Sequence, residues 1–392
     1  MTHRIPARAA FLFALAACSG ADKSGTTDPN GASDDTGGAD GAGDGGAADR
    51  PDPLSFDLHE AGPYQVGYAQ ITVDYDVLGE TRSIPVSVWY PTEATTGEPV
   101  RYINLYVDSV SLGGAPATPP LSEAGYPVLL HSHGYQGFSG TSAFLMHHFA
   151  SHGWVAIAPE HVDNLLTRSL DPLPTSHHVH RPLDMREALA ATVAQAPSLL
   201  AGPIDLGRVA MSGHSFGVYT SWATAGGTMD PERIAAACAG DGTFETNTCT
   251  AEEQAMLLSP ELAAPEVTAS VLLAGGIRRS LFGDDGHRTV GGPMLSLTGS
   301  EDGTSGIEQF ESSQGIDLTW VDLEGGCHQT FALGTCDTLP TEDGYRMVRS
   351  WSLAFLRHHL QGDVSEDTLA LISGEVPVDP RAHTRVRVPS DP

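Results

Sequence analysis

The sequence predicts an α/β fold in which a mostly parallel central sheet carries helices on both faces and an antiparallel hairpin precedes it. Three observations lead there. Two runs rich in β-branched and aromatic residues, 68–75 and 84–90, flank a Gly79-Glu80 turn and read as the hairpin. Beyond it, short apolar strand-like runs alternate with helix-like segments. Finally, a Gly-x-Ser-x-Gly pentapeptide, Gly213-His214-Ser215-Phe216-Gly217, falls where one such strand gives way to a helix.

Taken in order, residues 127–131 form a short buried strand, 142–152 a helix, 154–159 a second apolar strand and 182–200 a long helix. A strand over 208–213 leads into Ser215, a helix runs from 216 to about 225, and 234–239 reads as the next strand. Residues 242–290 interrupt the rhythm with a cysteine, several acids and an apolar stretch, 267–277, of no assignable period; they are a candidate cap insertion. Strand patterns resume at 294–298 and 316–321, and 345–360 gives a closing helix. No internal repeat is present.

The 392 residues exceed an ordinary single domain, yet one α/β core with extensions can account for them, and the catalytic domain is placed at 54–392. The 49 acidic residues against 20 basic ones give a formal charge of -29, and Lys23 is the only lysine. No Lys-rich patch for phosphate exists, so nucleic acid is excluded as a partner, and the acidity reads as a solubilised extracellular surface.

At the N-terminus, Arg4 and Arg8 precede an apolar run, 9–17, well short of the roughly 20 residues that span a bilayer. Residues 1–18 therefore read as a signal segment, and Leu15-Ala16-Ala17-Cys18 resembles the lipobox of bacterial lipoproteins, in which the thiol carries lipid. The bland alternative is an ordinary signal peptide with an incidental Cys18. Residues 19–53 are an acidic tether of Gly, Ala, Ser, Thr and Asp that cannot bury enough surface to offset chain entropy. The expectation is an exported bacterial lipoprotein, membrane-anchored through Cys18 on the periplasmic or cell-surface face. Export makes disulfides reasonable for the other four cysteines. Of three connectivities, proximity favours Cys238–Cys249 and Cys327–Cys336, each closing a short loop.

The pentapeptide carries chemistry because a sharp strand-to-helix turn pushes the Ser215 hydroxyl into a cleft. A serine hydroxyl is a weak nucleophile and needs a base, and in this arrangement acid and histidine follow the serine in that chain order. Asp302, in Thr298-Gly299-Ser300-Glu301-Asp302, lies just past a strand where its carboxylate would stabilise the imidazolium; Glu301 and Asp317 compete. His328, in Gly325-Gly326-Cys327-His328-Gln329, follows the next strand and is the best placed of the 17 histidines. A Cys327–Cys336 bridge would pin its loop. The tetrahedral intermediate needs two backbone donors, assigned to the amides of Phe216 and of Tyr135, the latter in His131-Ser132-His133-Gly134-Tyr135. His147, His148 and His152 on a helix, and His177, His178 and His180 in a loop, read as structural or solvent-facing. Neither they nor the cysteines have the spacing of a metal knuckle or zincin, so no metal and no cofactor is expected.

With Val88-Trp89-Tyr90-Pro91, His133-Gly134, Arg181-Pro182-Leu183-Asp184 and the Ser215 pentapeptide in order, residues 64–360 resemble predicted dienelactone hydrolases and platelet-activating-factor acetylhydrolases of the α/β-hydrolase superfamily. The resemblance implies an α/β-hydrolase fold and cleavage of carboxylic esters through an acyl-enzyme, with Ser215, Asp302 and His328 as triad and Tyr135 and Phe216 as oxyanion donors. It implies small-molecule or lipid esters as substrates. Dienelactone hydrolase proper uses cysteine where Ser215 stands. His133-Gly134-Tyr135 also looks like the oxyanion loop of cutinase-like polyesterases, although Val218 stands where those enzymes carry a second glycine. A peptidase or acyltransferase using the same triad, and a non-catalytic surface-binding lipoprotein, are the other function classes.

Overall fold

The computed structural model describes residues 50–389, so Cys18, the signal segment and nearly all of the 19–53 tether lie outside the described residues. Strands β1 (Gln65–Val77) and β2 (Glu80–Thr92) pair from Gln65 opposite Thr92 to Val77 opposite Glu80. The two residues between them, Leu78 and Gly79, have φ of 51° and 77°, as a two-residue turn matched to strand twist requires. The turn thus sits one residue earlier than the Gly79-Glu80 expected. A second hairpin, β3 (Glu98–Tyr102) and β4 (Tyr106–Gly113), extends the sheet beyond β1; its strands have no apolar run to announce them.

The chain continues through β5 (Tyr126–Ser132), α1 (Ala143–Ser151) and β6 (Val155–Pro159), then a small hairpin of β7 (Asn164–Leu165) and β8 (Arg168–Ser169). Next come α2 (His177–Leu199), β9 (Ile204–His214), α3 (Phe216–Thr224), α4 (Pro231–Cys238) and α5 (Ala251–Leu257). They are followed by β10 (Val267–Leu273), α6 (Arg279–Phe282), β11 (Met294–Gly299), α7 (Gly306–Ser312) and β12 (Leu318–Leu323). Helices α8 (Thr341–Gln361) and α9 (Glu366–Ser373) and the edge strand β13 (Ala382–Arg387) close the fold.

One sheet gathers eleven of these strands in the order β13-β12-β11-β10-β9-β5-β6-β2-β1-β4-β3, and the run from β12 to β6 is parallel. Its two faces bury separate cores, because successive side chains of a strand point oppositely. Val128, Leu130, Val209 and Met211 face α2 and α3, with Val179, Leu183 and Trp222 above them. Leu129, Ala210, Val271 and Leu273 face α1 and α8, against Phe149, Trp351 and Phe355.

Three expectations need correction. Residues 234–239 are not a strand: they belong to α4, which Pro231 opens at its first position and Asp230 caps by accepting from the N–H groups of Glu232 and Arg233. The strand that pairs with β9 is β10, drawn from the 267–277 stretch. The 242–290 segment, read as a candidate cap, therefore contributes a core strand between its flanking helices. Thirdly, His177, His178 and His180 lie in α2 rather than in a loop, because the helix starts before Pro182. Proline lacks the N–H that would bond the His178 carbonyl four residues back, and that carbonyl instead accepts from the Tyr219 hydroxyl at 2.6 Å. Disulfides link Cys238 to Cys249 and Cys327 to Cys336.

The chain leaves β5 for β6 on one side and later returns as β9 on the other side of β5. From β5 and β9 the chain therefore continues to neighbouring strands on opposite sides, the point of strand-order reversal at which open α/β sheets place their ligand sites.

Candidate active site

Ser215 occupies the turn between β9 and α3 with φ 55° and ψ -112°, a backbone conformation that side-chain-bearing residues rarely adopt. The flanking glycines are required sterically. A Cβ on Gly213 would stand 2.2 Å from the Gly217 carbonyl oxygen, and one on Gly217 would stand 1.9 Å from that of Ser132. The Ser215 N–H is tied to the Leu273 carbonyl at 2.9 Å, which fixes the turn to β10. Phe216 is the first residue of α3, so its N–H has no acceptor within the helix and lies at the positive end of the helix dipole.

The loop after β5 closes over this turn. A Cβ on Gly134 would stand 3.1 Å from His214 Nδ1 and 3.3 Å from Ser215 Cβ, tighter than ordinary van der Waals contact, so glycine eases the approach of the loop. His133 orients the next peptide. Its Nε2 accepts the His161 N–H at 3.1 Å, which leaves the proton on Nδ1, and Nδ1–H donates to the Gly134 carbonyl at 2.8 Å. Gly137 N–H donates to the same carbonyl at 3.1 Å. In a trans peptide the carbonyl and the following N–H point oppositely, so pinning the Gly134 oxygen aims the Tyr135 N–H away from it. Burial holds the His133 pKa well below its ordinary value, helped by His161 and Arg181 nearby, and the ring stays neutral.

His328 opens a one-turn helix just after β12, in the loop that the Cys327–Cys336 bridge closes. Its ring lies 4.6 Å from that of His214, centroid to centroid, and the His214 Nε2–H donates to the His328 carbonyl at 3.1 Å. His214, the residue before the serine, thus ties the His328 loop to the β9–α3 turn. Burial lowers the His328 pKa, and the charge of Asp302 partly restores it. The Asp302 and His328 loops are stitched together: Glu301 N–H donates to the Gly326 carbonyl at 2.8 Å, and Gly325 N–H to the Ser300 hydroxyl at 3.0 Å. Asp302 itself accepts from Gly299 N–H at 3.1 Å and from Thr304 N–H at 2.5 Å.

The structure therefore brings Ser215, His328, Asp302, Phe216 and the Tyr135 loop to one end of the sheet. Among the described residues no hydrogen bond joins His328 to Ser215 or Asp302; such bonds in unliganded sites commonly form only once substrate is in place. Of the competing acids, Asp317 precedes β12 and so lies at the strand end away from His328, while Glu301 is exposed. The helix histidines are structural: His147 pairs with Asp108 at 2.9 Å, and His148 and His152 are buried.

Three residues around the site went unassigned in the sequence. His133 and His214 sit inside the quoted motifs, but only their contacts reveal what they hold. Glu160, just past β6, accepts from the Ser139 hydroxyl at 2.7 Å and the Ser139 N–H at 3.2 Å where the Tyr135 loop ends. Burial pushes its carboxyl up to about 7, against the lowering effect of the Ser139 bonds.

A solved ferulic acid esterase from Streptomyces cinnamoneus superposes with a TM-score of 0.56 at 18% identity, covering 83% of this chain and 97% of that one. The chain has the α/β-hydrolase fold. A family model described as Chlorophyllase matches residues 115–246, about a third of the chain, taking in the Gly134 loop and Ser215 but ending before Asp302 and His328. No curated protein matches it.

Proposed function

We propose that the protein is a serine carboxylic-ester hydrolase working through an acyl-enzyme on short-chain or lipid-type esters. The observation that carries this reading is the left-handed Ser215 turn, facing the Gly134 loop with a free helix N-terminus beside it. Ser215 Oγ attacks the ester carbonyl carbon as His328 takes its proton, and the oxyanion that forms accepts from the N–H groups of Tyr135 and Phe216. His328 passes the proton to the departing alkoxide, and Asp302 stabilises its charged form meanwhile. Water, deprotonated by His328, then attacks the acyl carbon, and His328 returns that proton to Ser215 Oγ as the tetrahedral intermediate collapses to the acid.

The likenesses to a family described as Chlorophyllase and to a ferulic acid esterase support ester hydrolysis, and neither bears on the platelet-activating-factor-acetylhydrolase-like subtype, which remains part of this proposal. Ser215→Ala should abolish p-nitrophenyl butyrate hydrolysis and fluorophosphonate labelling. Undiminished turnover in that variant would refute the reading.

A further inference from the structure

Arg181, in α2, is fully buried, yet its four hydrogen-bond partners are all uncharged. Nε donates to the Thr220 hydroxyl at 3.1 Å, Nη1 to Asn164 Oδ1 at 3.2 Å, and Nη2 to the Ser132 hydroxyl at 3.1 Å and, closely, to the His133 carbonyl. Its guanidinium carbon lies 4.4 Å from the centre of the Phe216 ring. The nearby carboxylate of Asp184 is occupied instead by Arg82 at 2.7 and 3.0 Å, the Tyr75 hydroxyl at 2.6 Å and His161 at 2.8 Å. Burial lowers the Arg181 pKa to about 9, with Asp184 opposing, so it is charged at neutral pH.

A buried cation without a directly bonded anion is costly and is tolerated only where its donors are well used. Here they meet both halves of the oxyanion site. Ser132 and His133 lead into Gly134 and Tyr135, whereas Thr220 and Phe216 belong to the first turns of α3. Asn164 adds a third tie, because its neighbour Leu165 bridges to Gly137 in the same loop.

We infer that Arg181 is a positioning residue of the oxyanion hole, one rigid fork that fixes the separation of the Tyr135 and Phe216 N–H groups. The inference rests on the proposed serine-hydrolase reading. Because the oxyanion exists only in the transition state and tetrahedral intermediate, misplacing its donors should reduce kcat and leave KM nearly unchanged.

The test compares wild type with Arg181→Lys, which keeps the charge but cannot present a planar fork. It measures kcat and KM for p-nitrophenyl butyrate, and inhibition by butylboronic acid, whose tetrahedral serine adduct resembles the intermediate. The expected result is a fall in kcat on the order of 10- to 100-fold, KM within about twofold, and a matching loss of boronic acid affinity. Thr220→Val, a smaller change that removes one acceptor, covers the case in which Arg181→Lys does not fold and should lower kcat and boronic acid affinity together by about threefold or more. Unchanged kcat in a folded variant, or a loss of kcat with boronic acid affinity retained, overturns the inference alone. A wild type that neither hydrolyses esters nor reacts with fluorophosphonate overturns the serine-hydrolase reading, and the inference falls with it.

Discussion

At the residue scale the site depends on a few side chains whose surroundings set their chemistry. Ser215 is held at φ 55° by the packing of Gly213 and Gly217 against neighbouring backbone, so its strain is sustained by the surrounding structure. His328 is pulled toward the neutral form by burial and back toward the charged form by Asp302. In the proposed mechanism His328 is the general base, which works only when deprotonated, so activity should fall as pH drops through its pKa. Asp302→Asn removes the influence that raises that pKa, and the acid limb of the kcat/KM profile should move to lower pH. Turnover should drop about 10³- to 10⁴-fold, because the imidazolium loses its stabilising charge. An unmoved acid limb would show that Asp302 does not act on His328.

At the scale of elements, local signals and tertiary demands separate. The first hairpin was legible because its β-branched and aromatic runs are long; its turn slipped by one residue because Leu78 accepts a positive φ that its side chain disfavours. The start of α2 was hidden by Pro182, whose cost is absorbed by the Tyr219 hydroxyl, a partner from α3. Residues 234–239 looked like a strand through their apolar content, although Asp230 and Pro231 are helix-start residues. Since Asp230 satisfies two N–H groups of α4, Asp230→Ala should lower the unfolding free energy by about 1 kcal/mol in urea titrations. No loss would mean that the packing of Ile234 and Ala237 alone holds the helix.

For the whole molecule, eleven strands divide the interior into two cores, and the reversal of strand order at β5–β9 sets the Ser215 turn against the Gly134 loop. Glu160, buried just past β6, links stability to pH. Its folded pKa of about 7 exceeds the ordinary 4.5, so between those values the native state keeps a proton that the unfolded chain has released. Its contribution is therefore fully present below the unfolded value and is lost as pH rises through 7. Glu160→Gln has no charge to bury, and from pH 5 to pH 8.5 its stability relative to wild type should rise by on the order of 3 kcal/mol. A pH-independent difference would assign the titration elsewhere. By itself the sequence determined the α/β alternation, the hairpin, the strand-to-helix setting of Ser215 and the chain order of serine, acid and histidine. All of these are written in local periodicity, turn residues and succession. Only the tertiary structure decided that β10 rather than 234–239 pairs with β9, that Asp302 rather than Asp317 lies at the His328 end of the sheet, and that Arg181 touches both the loop after β5 and the start of α3. Periodicity tells which face of an element is buried; the groups that meet there come from distant parts of the chain, and their identity depends on how the layers pack.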